Sequence, residues 1–173
     1  MRNLIFAFLL VGAILGACSF FQAAPSGEAG NVESVSSDDP EMNAAIQEAQ
    51  DTLSLFIAAL EAPAASQTYF GIKAEFPYGE GNSAEHMWVS DLTLVEAGFE
   101  GTLLNEPVYV QGLEFGDHVS VATGDVSDWM IIDGERLLGG FTIHVLRSRM
   151  SESERTQFDA EFGYTIPDQP ALP

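Results

Sequence analysis

The chain has 173 residues, room for one modest domain with extensions, and its 46% hydrophobic and 10% aromatic content excludes a wholly disordered polymer. Six Lys+Arg against 26 Asp+Glu give a formal charge of −20, and such a surface repels phosphate backbones, which argues against binding DNA or RNA. One cysteine excludes an internal disulfide framework and a four-thiolate zinc site.

Residues 1–17 read as a secretory leader. Arg2 is their only charge, and residues 4–17 are apolar or small. A helix of that length rises about 21 Å, short of the roughly 30 Å hydrocarbon core of a bilayer, so a cleaved signal peptide is expected rather than a membrane-spanning helix. The exit Leu15-Gly16-Ala17-Cys18 resembles the lipobox of bacterial lipoproteins. That resemblance implies diacylglycerol on the Cys18 thiol and cleavage just before it; the alternative is a chance thiol in an ordinary signal peptide. Each buried CH₂ adds about 0.8 kcal/mol, so several acyl chains on one residue hold firmly. A membrane-anchored lipoprotein of the cell envelope is therefore expected. Ser19 after the cysteine implies the outer membrane, facing the periplasm, if the host is Gram-negative.

Residues 18–39 are small, polar and acidic without apolar periodicity, and predict a lipidated flexible tether spanning about 25 Å, with Phe20 and Phe21 at the lipid interface. A helix is predicted over 40–63. Ser37, Asp38 or Asp39 can cap it, Pro40 suits its first turn, and Ile46, Ala49, Leu53, Phe56 and Leu60 form one apolar stripe. Packing on the domain is expected for that stripe, with a dimerising coiled coil as the alternative. From Tyr69 the period changes to two, and Phe70, Ile72, Ala74 and Phe76 mark one buried face of a strand. Further strands are predicted near 86–94, 99–104, 107–111, 118–122, 129–132 and 137–146. Asp133-Gly134 is the strongest hairpin signal, although a loop shifted by one residue would pair Asp133 with Arg136. Gly139-Gly140 suggests a bulge where the sheet bends to close. Ser151-Glu152-Ser153-Glu154 is a capping-box pattern for a last helix, with Phe158 and Phe162 on one face and Gly163 as its stop. Residues 166–173 contain three prolines and predict an extended tail. The expected fold class is α+β: a small, strongly curled antiparallel β-sheet or barrel over 67–165, flanked by an N-terminal helix and a short C-terminal helix.

Four ordered stretches resemble the bacterial domain of unknown function 2314 (DUF2314). They are Glu85-His86-Met87-Trp88-Val89, then the run from Gly101 through Asn105 and Glu106 to Pro107, then Gly116-Asp117-His118-Val119, and Ser127-Asp128-Trp129-Met130. The resemblance covers roughly residues 69–163 and implies a small domain, often behind a secretion signal, with no assigned activity. Some similar domains sit beside secreted toxins as presumed immunity proteins, which favours protein binding by analogy.

The chemistry the sequence offers is thin. His86, His118 and His144 all fall in predicted strands, but no H-x-H or H-x-x-x-H pair exists, so no metal is expected. No Ser lies in G-x-S-x-G, no calcium loop of the D-x-[DN]-x-[DN]-G type occurs, and no phosphate-binding loop is present, so neither a cofactor nor a catalytic residue is assigned. Asp128 with His86 as acid–base partners would make an envelope hydrolase, the alternative function. Trp88, Asp128, Trp129 and His86 form the candidate interaction surface, although both tryptophans are expected in the core first. The acid excess is read first as a solvated surface suited to a saline habitat, with a cationic protein or peptide partner as the alternative; one dense acidic face would favour the partner. The expected function is thus a lipid-anchored, non-catalytic protein-binding module, an immunity-like inhibitor of a secreted toxin being a further alternative.

Overall fold

The computed structural model describes residues 3–7, 32–36, 39–80 and 83–173. Two short strands come first: β1 (Asn3–Ala7), within the segment read as a leader, and β2 (Val32–Ser36), within the segment read as a tether. They pair antiparallel with each other. Residues 15–18 with Cys18, and Phe20 and Phe21, lie outside the described residues.

Asp39 then opens α1 (Pro40–Glu61), its carboxylate accepting from the amides of Glu41 (3.1 Å) and Met42 (3.0 Å) where a helix start leaves N–H groups unpaired. Met42, Ala45, Ala49, Leu53 and Phe56 recur at steps of three and four and are buried on the domain. Of the expected stripe, Ala49, Leu53 and Phe56 are buried and Ile46 and Leu60 half-buried.

Six strands follow α1: β3 (Gln67–Pro77), β4 (Ala84–Val95), β5 (Gly98–Leu103), β6 (His118–Ala122), β7 (Val126–Asp133) and β8 (Arg136–Gly139). They form an antiparallel sheet in the order β6-β5-β4-β3-β7-β8, and β1 lies parallel to the start of β4. β4 is shared between two partners. Its first half pairs with β3 and its second with β5, across a register shift between Ser90 and Thr93 where Asp91 takes φ 52°. The β7–β8 hairpin adopts the shifted register, Asp133 opposite Arg136, so that Gly134 (φ 60°) supplies the positive angle at the first loop position.

The sheet is open, which corrects the expectation of a strongly curled sheet or barrel. Among the described residues β6 pairs only with β5, while the outer edge of β8 is taken by the C-terminal segment. The Leu137 and Gly139 amides donate to the carbonyls of Thr165 (2.9 Å) and Ala171 (2.8 Å). Two predicted strands are also corrected. Residues 107–111 belong to the β5–β6 loop, and residues 137–146 divide between β8 and a helix, α2 (Phe141–Arg149). Gly139 and Gly140 turn the chain out of the sheet at φ 70° and 67° instead of bending it.

Helices cover both faces. On one, α1 buries Phe56 against Phe70, Phe99 and Trp129 at centroid distances of 5.9, 6.1 and 5.6 Å, and the Trp129 indole N–H donates to the Ala49 carbonyl at 3.1 Å. On the other, Trp88, Met130, Ile132, Leu137, Ile143 and Ile166 form a second core, packed by Phe158, Phe162 and Tyr164 from α3 (Glu152–Phe162) and the segment after it. The capping box at Ser151 and Glu154 and the left-handed Gly163 stop are both present, and Phe158 stacks on Phe162 at 6.0 Å.

Candidate functional site

Two polar constructions stand out in this sheet. The first is a row across its centre. Register places Lys73 of β3 opposite both Trp88 of β4 and Asp128 of β7, and all three point to the face that carries the second core. The Lys73 ammonium lies 5.1 Å from the centre of the Trp88 ring and donates to Thr142 Oγ1 at 3.1 Å, and that hydroxyl donates to Asp128 Oδ2 at 2.6 Å. Asp128 also accepts the amides of Trp129 (2.8 Å), Phe141 (3.0 Å) and Thr142 (2.8 Å). Gly140 begins α2 with no side chain to cap it, so a carboxylate from a neighbouring strand fulfils that role, a negative group at the positive end of the helix. Beside this row His86 Nδ1 meets Ser127 Oγ at 2.8 Å, and the Ser127 hydroxyl also reaches the Lys73 carbonyl at 3.3 Å.

Burial pushes the Lys73 ammonium down to about 7 and the Asp128 carboxyl up, and each draws the other back toward its charged form. Lys73, Asp128 and Thr142 are fully buried. A hydroxyl set between a lysine and a carboxylate has the makings of a nucleophile, but no substrate atom reaches Thr142 Oγ1 in this conformation. What the arrangement does here is lock β3, β7 and α2 together.

The second construction holds a loop. Between β5 and β6 the chain runs 14 residues, 104–117, without regular structure. Glu85, fully buried on β4, accepts the amides of Val108 (2.9 Å), Tyr109 (3.1 Å) and Val110 (3.3 Å), three successive N–H groups wrapped around one carboxylate. Asn105, also fully buried, accepts the Trp88 amide at 2.6 Å, and Leu104 N–H returns to the Trp88 carbonyl at 2.8 Å. Val110 and Leu113 pack on the core beneath. The held loop turns Val108 (51% exposed), Tyr109 (48%) and Phe115 (53%) to solvent, and Tyr109 stacks on Tyr78 at 5.0 Å with 17° between ring planes.

The four residues expected at an interaction surface are all interior. Trp88, Asp128, Trp129 and His86 are 4%, 0%, 0% and 1% exposed, so the core reading of both tryptophans holds and these side chains offer no contact surface. Asp128 spends its oxygens on Thr142, Phe141 and Trp129, whereas His86 faces Ser127. The three histidines are dispersed, His86 on β4, His118 on β6 and His144 on α2, and no cluster placed to hold a metal ion occurs among the described residues. Sequence reasoning missed Lys73, Glu85, Asn105 and Thr142 as buried anchors, and Val108, Tyr109 and Phe115 as the exposed set. A signal existed: the chain's one lysine in the middle of an apolar strand, and three large apolar residues in a stretch of Pro, Gly and acids.

The stretches quoted above for the family resemblance contribute to both constructions: Glu85, His86 and Trp88 from one, Asn105 from the next, Ser127 and Asp128 from the last. The family described as "Uncharacterized protein conserved in bacteria (DUF2314)" matches residues 39–166. The chain belongs to this family. The match takes in α1, in agreement with the bond from Trp129 to Ala49 that ties this helix to the sheet. Among curated relatives, a "Putative ankyrin repeat protein" of Neisseria meningitidis serogroup B is 39% identical over 89 residues, 51% of this chain but only 35% of that protein. The "Uncharacterized protein YegJ" of Escherichia coli K12 is 30% identical over 124 residues, 72% of this chain and 78% of its own length. No solved structure matches the chain.

Proposed function

We propose that this DUF2314 protein is a non-catalytic binding module of the bacterial cell envelope, anchored by lipid on Cys18 and contacting a protein or peptide through its β5–β6 loop. One observation carries the binding role. A 14-residue loop is held by a buried carboxylate and a buried amide, yet turns aromatic and aliphatic side chains to water. Ordering backbone costs about 1–2 kcal/mol per residue, so an ordered loop with solvent-facing apolar side chains has the character of a pre-organised contact surface. The lipobox supports the anchor, and among the described residues no helix is long and apolar enough to cross a membrane. Cleavage before Cys18 would remove β1 and leave the six-stranded antiparallel sheet with its three helices as the mature domain.

Metabolic labelling with a palmitate analogue tests the anchor. Label is expected on the wild-type chain and absent from Cys18→Ser, and equal labelling of both refutes it. A photo-crosslinking amino acid at Tyr109 in intact cells tests the surface. A discrete adduct is expected there and none from the same group at Ser54 on the exposed side of α1; turnover of a substrate with no adduct would instead favour the hydrolase.

A further inference from the structure

The charges of this chain are segregated. Residues 74–135 hold 13 Asp and Glu and no Lys or Arg, whereas residues 136–173 hold four arginines with five acids. The fold turns this into geometry. The arginines lie on β8, α2 and α3, where Arg147 pairs with Asp159 (2.7 Å) and Arg149 with Asp39 (2.6 Å) and Glu41 (2.8 Å). The β4–β5–β6 half of the sheet and its loops have no Lys or Arg, and their bases are His86 and His118, the latter 3.8 Å from Glu100. An acid surplus that served only solvation in brine has no reason to leave one half without a single permanently charged base. On that half stands the aromatic loop. Tyr109, stacked on Tyr78, and Phe115 face solvent, with Glu80, Glu106 and Glu114 exposed in the same two loops.

We infer that this face docks an Arg- or Lys-rich segment of a partner protein, an inference that rests on the binding role proposed above. The π faces of tyrosine and phenylalanine attract ammonium and guanidinium groups, and arginine in particular stacks on aromatic planes. Flanking carboxylates steer such a segment in and pair with it at the rim. The same charges repel other occupants. An anionic lipid surface meets a negative rim, and a second copy of the chain meets its own sign.

The test uses the full-length chain in nonionic detergent at about 0.15 M salt, where the Debye length is about 8 Å and diffuse attraction is weak. The probe is a fluorescein-labelled octapeptide of alternating Arg and Ser, followed by anisotropy. Binding is expected to loosen about fivefold for Tyr109→Ala and for Phe115→Ala. The pair Glu48→Gln with Asp51→Asn on α1 removes charge far from the loop and should change affinity less than twofold. Both loop residues are about half exposed, so the variants should keep the wild-type circular dichroism and urea midpoint, which excludes loss of fold as the cause. The inference is overturned if the octapeptide does not bind, if the aromatic variants bind it as wild type does, or if the α1 variant loses as much as they do. Stronger binding to phosphatidylglycerol vesicles than to the peptide also overturns it. A cross-linked partner whose contacting segment has no excess of Lys or Arg sinks the cationic assignment while leaving the binding role in place.

Discussion

Replacing Asp128 by Asn keeps the shape of the side chain and removes its charge, which isolates what this carboxylate does. Asp128 Oδ1 accepts the Trp129 and Phe141 amides, and Oδ2 accepts the Thr142 amide and hydroxyl. An asparagine has one oxygen to offer, so one of these donor pairs must face an NH₂ group. If the oxygen stays with Trp129 and Phe141, the Thr142 amide and hydroxyl both lose their acceptor, and the hydroxyl, which accepts from the Lys73 ammonium at 3.1 Å, must find another group to donate to. The ammonium stays fully buried and loses the negative charge of Asp128, which favours its protonated form. Removing one partner of a buried charge pair costs about 3–5 kcal/mol, a third or more of a typical domain's stability. With a urea m-value of about 2 kcal/mol per molar, the midpoint should fall by roughly 2 M. Unfolding followed by tryptophan fluorescence reports it, because Trp129 sits next to the substitution and is fully buried. Lys73→Met, a change to a similarly long apolar side chain, completes a double-mutant cycle, and the two residues should couple by about 1–3 kcal/mol. A loss below about 1 kcal/mol for Asp128→Asn, or additivity in the cycle, would refute the idea that Asp128 is held as the charged N-cap of α2.

Glu85→Gln leaves the three amides of Val108, Tyr109 and Val110 with a single acceptor oxygen, so hydrogen exchange at these positions should speed up at least tenfold while α1 amides keep their protection. Unchanged exchange would mean that the loop holds itself. Gly139→Ala should destabilise the domain by about 2–4 kcal/mol, read as a lower melting temperature. A Cβ there would stand 2.3 Å from the Trp129 carbonyl oxygen on a backbone at φ +70°. The Arg149 guanidinium and the α1 amides hold the Asp39 carboxyl down to about 2 against an ordinary 3.8. A folded-state value below the unfolded one means that the unfolded chain takes up the proton first on acidification. The contribution of Asp39 is therefore complete above about pH 4 and lost as pH falls toward about 2. Melting curves of wild type and Asp39→Asn should converge across that window, and a constant gap would contradict the assignment.

The elements that repeat a local pattern were readable in the chain. The α1 stripe from Ala49 to Phe56 and the Ser151 capping box each rest on neighbours within four residues and formed as expected. The alternation of Phe70, Ile72 and Ala74 gave the strand but not its single buried face, since Lys73 between them is fully buried too. Where reading failed, the deciding partner lay far along the sequence. Residues 141–149 are apolar enough for a strand, and became a helix because two glycines at positive φ turn the chain and Asp128, more than ten residues upstream, satisfies its first amides. Residues 107–111 look like a strand from Val108, Tyr109 and Val110, but their amides are taken by Glu85 rather than by a neighbouring strand. Barrel closure failed for the same kind of reason, since the edge of β8 is occupied by the tail.

The same division holds for the site. Residue order alone showed that the chain is acidic, that 74–135 holds no Lys or Arg, and that Leu15-Gly16-Ala17-Cys18 resembles a lipobox, because charge and short motifs are properties of residues in order. Which of its aromatics meet water was settled only in three dimensions. Trp88 and Trp129 sit in polar-flanked stretches and Tyr109 in an apolar one, yet the tryptophans are buried and Tyr109 is half exposed. A strand's side chains take their surroundings from the strands registered beside it and the helices laid over it, and those contacts join residues tens of positions apart.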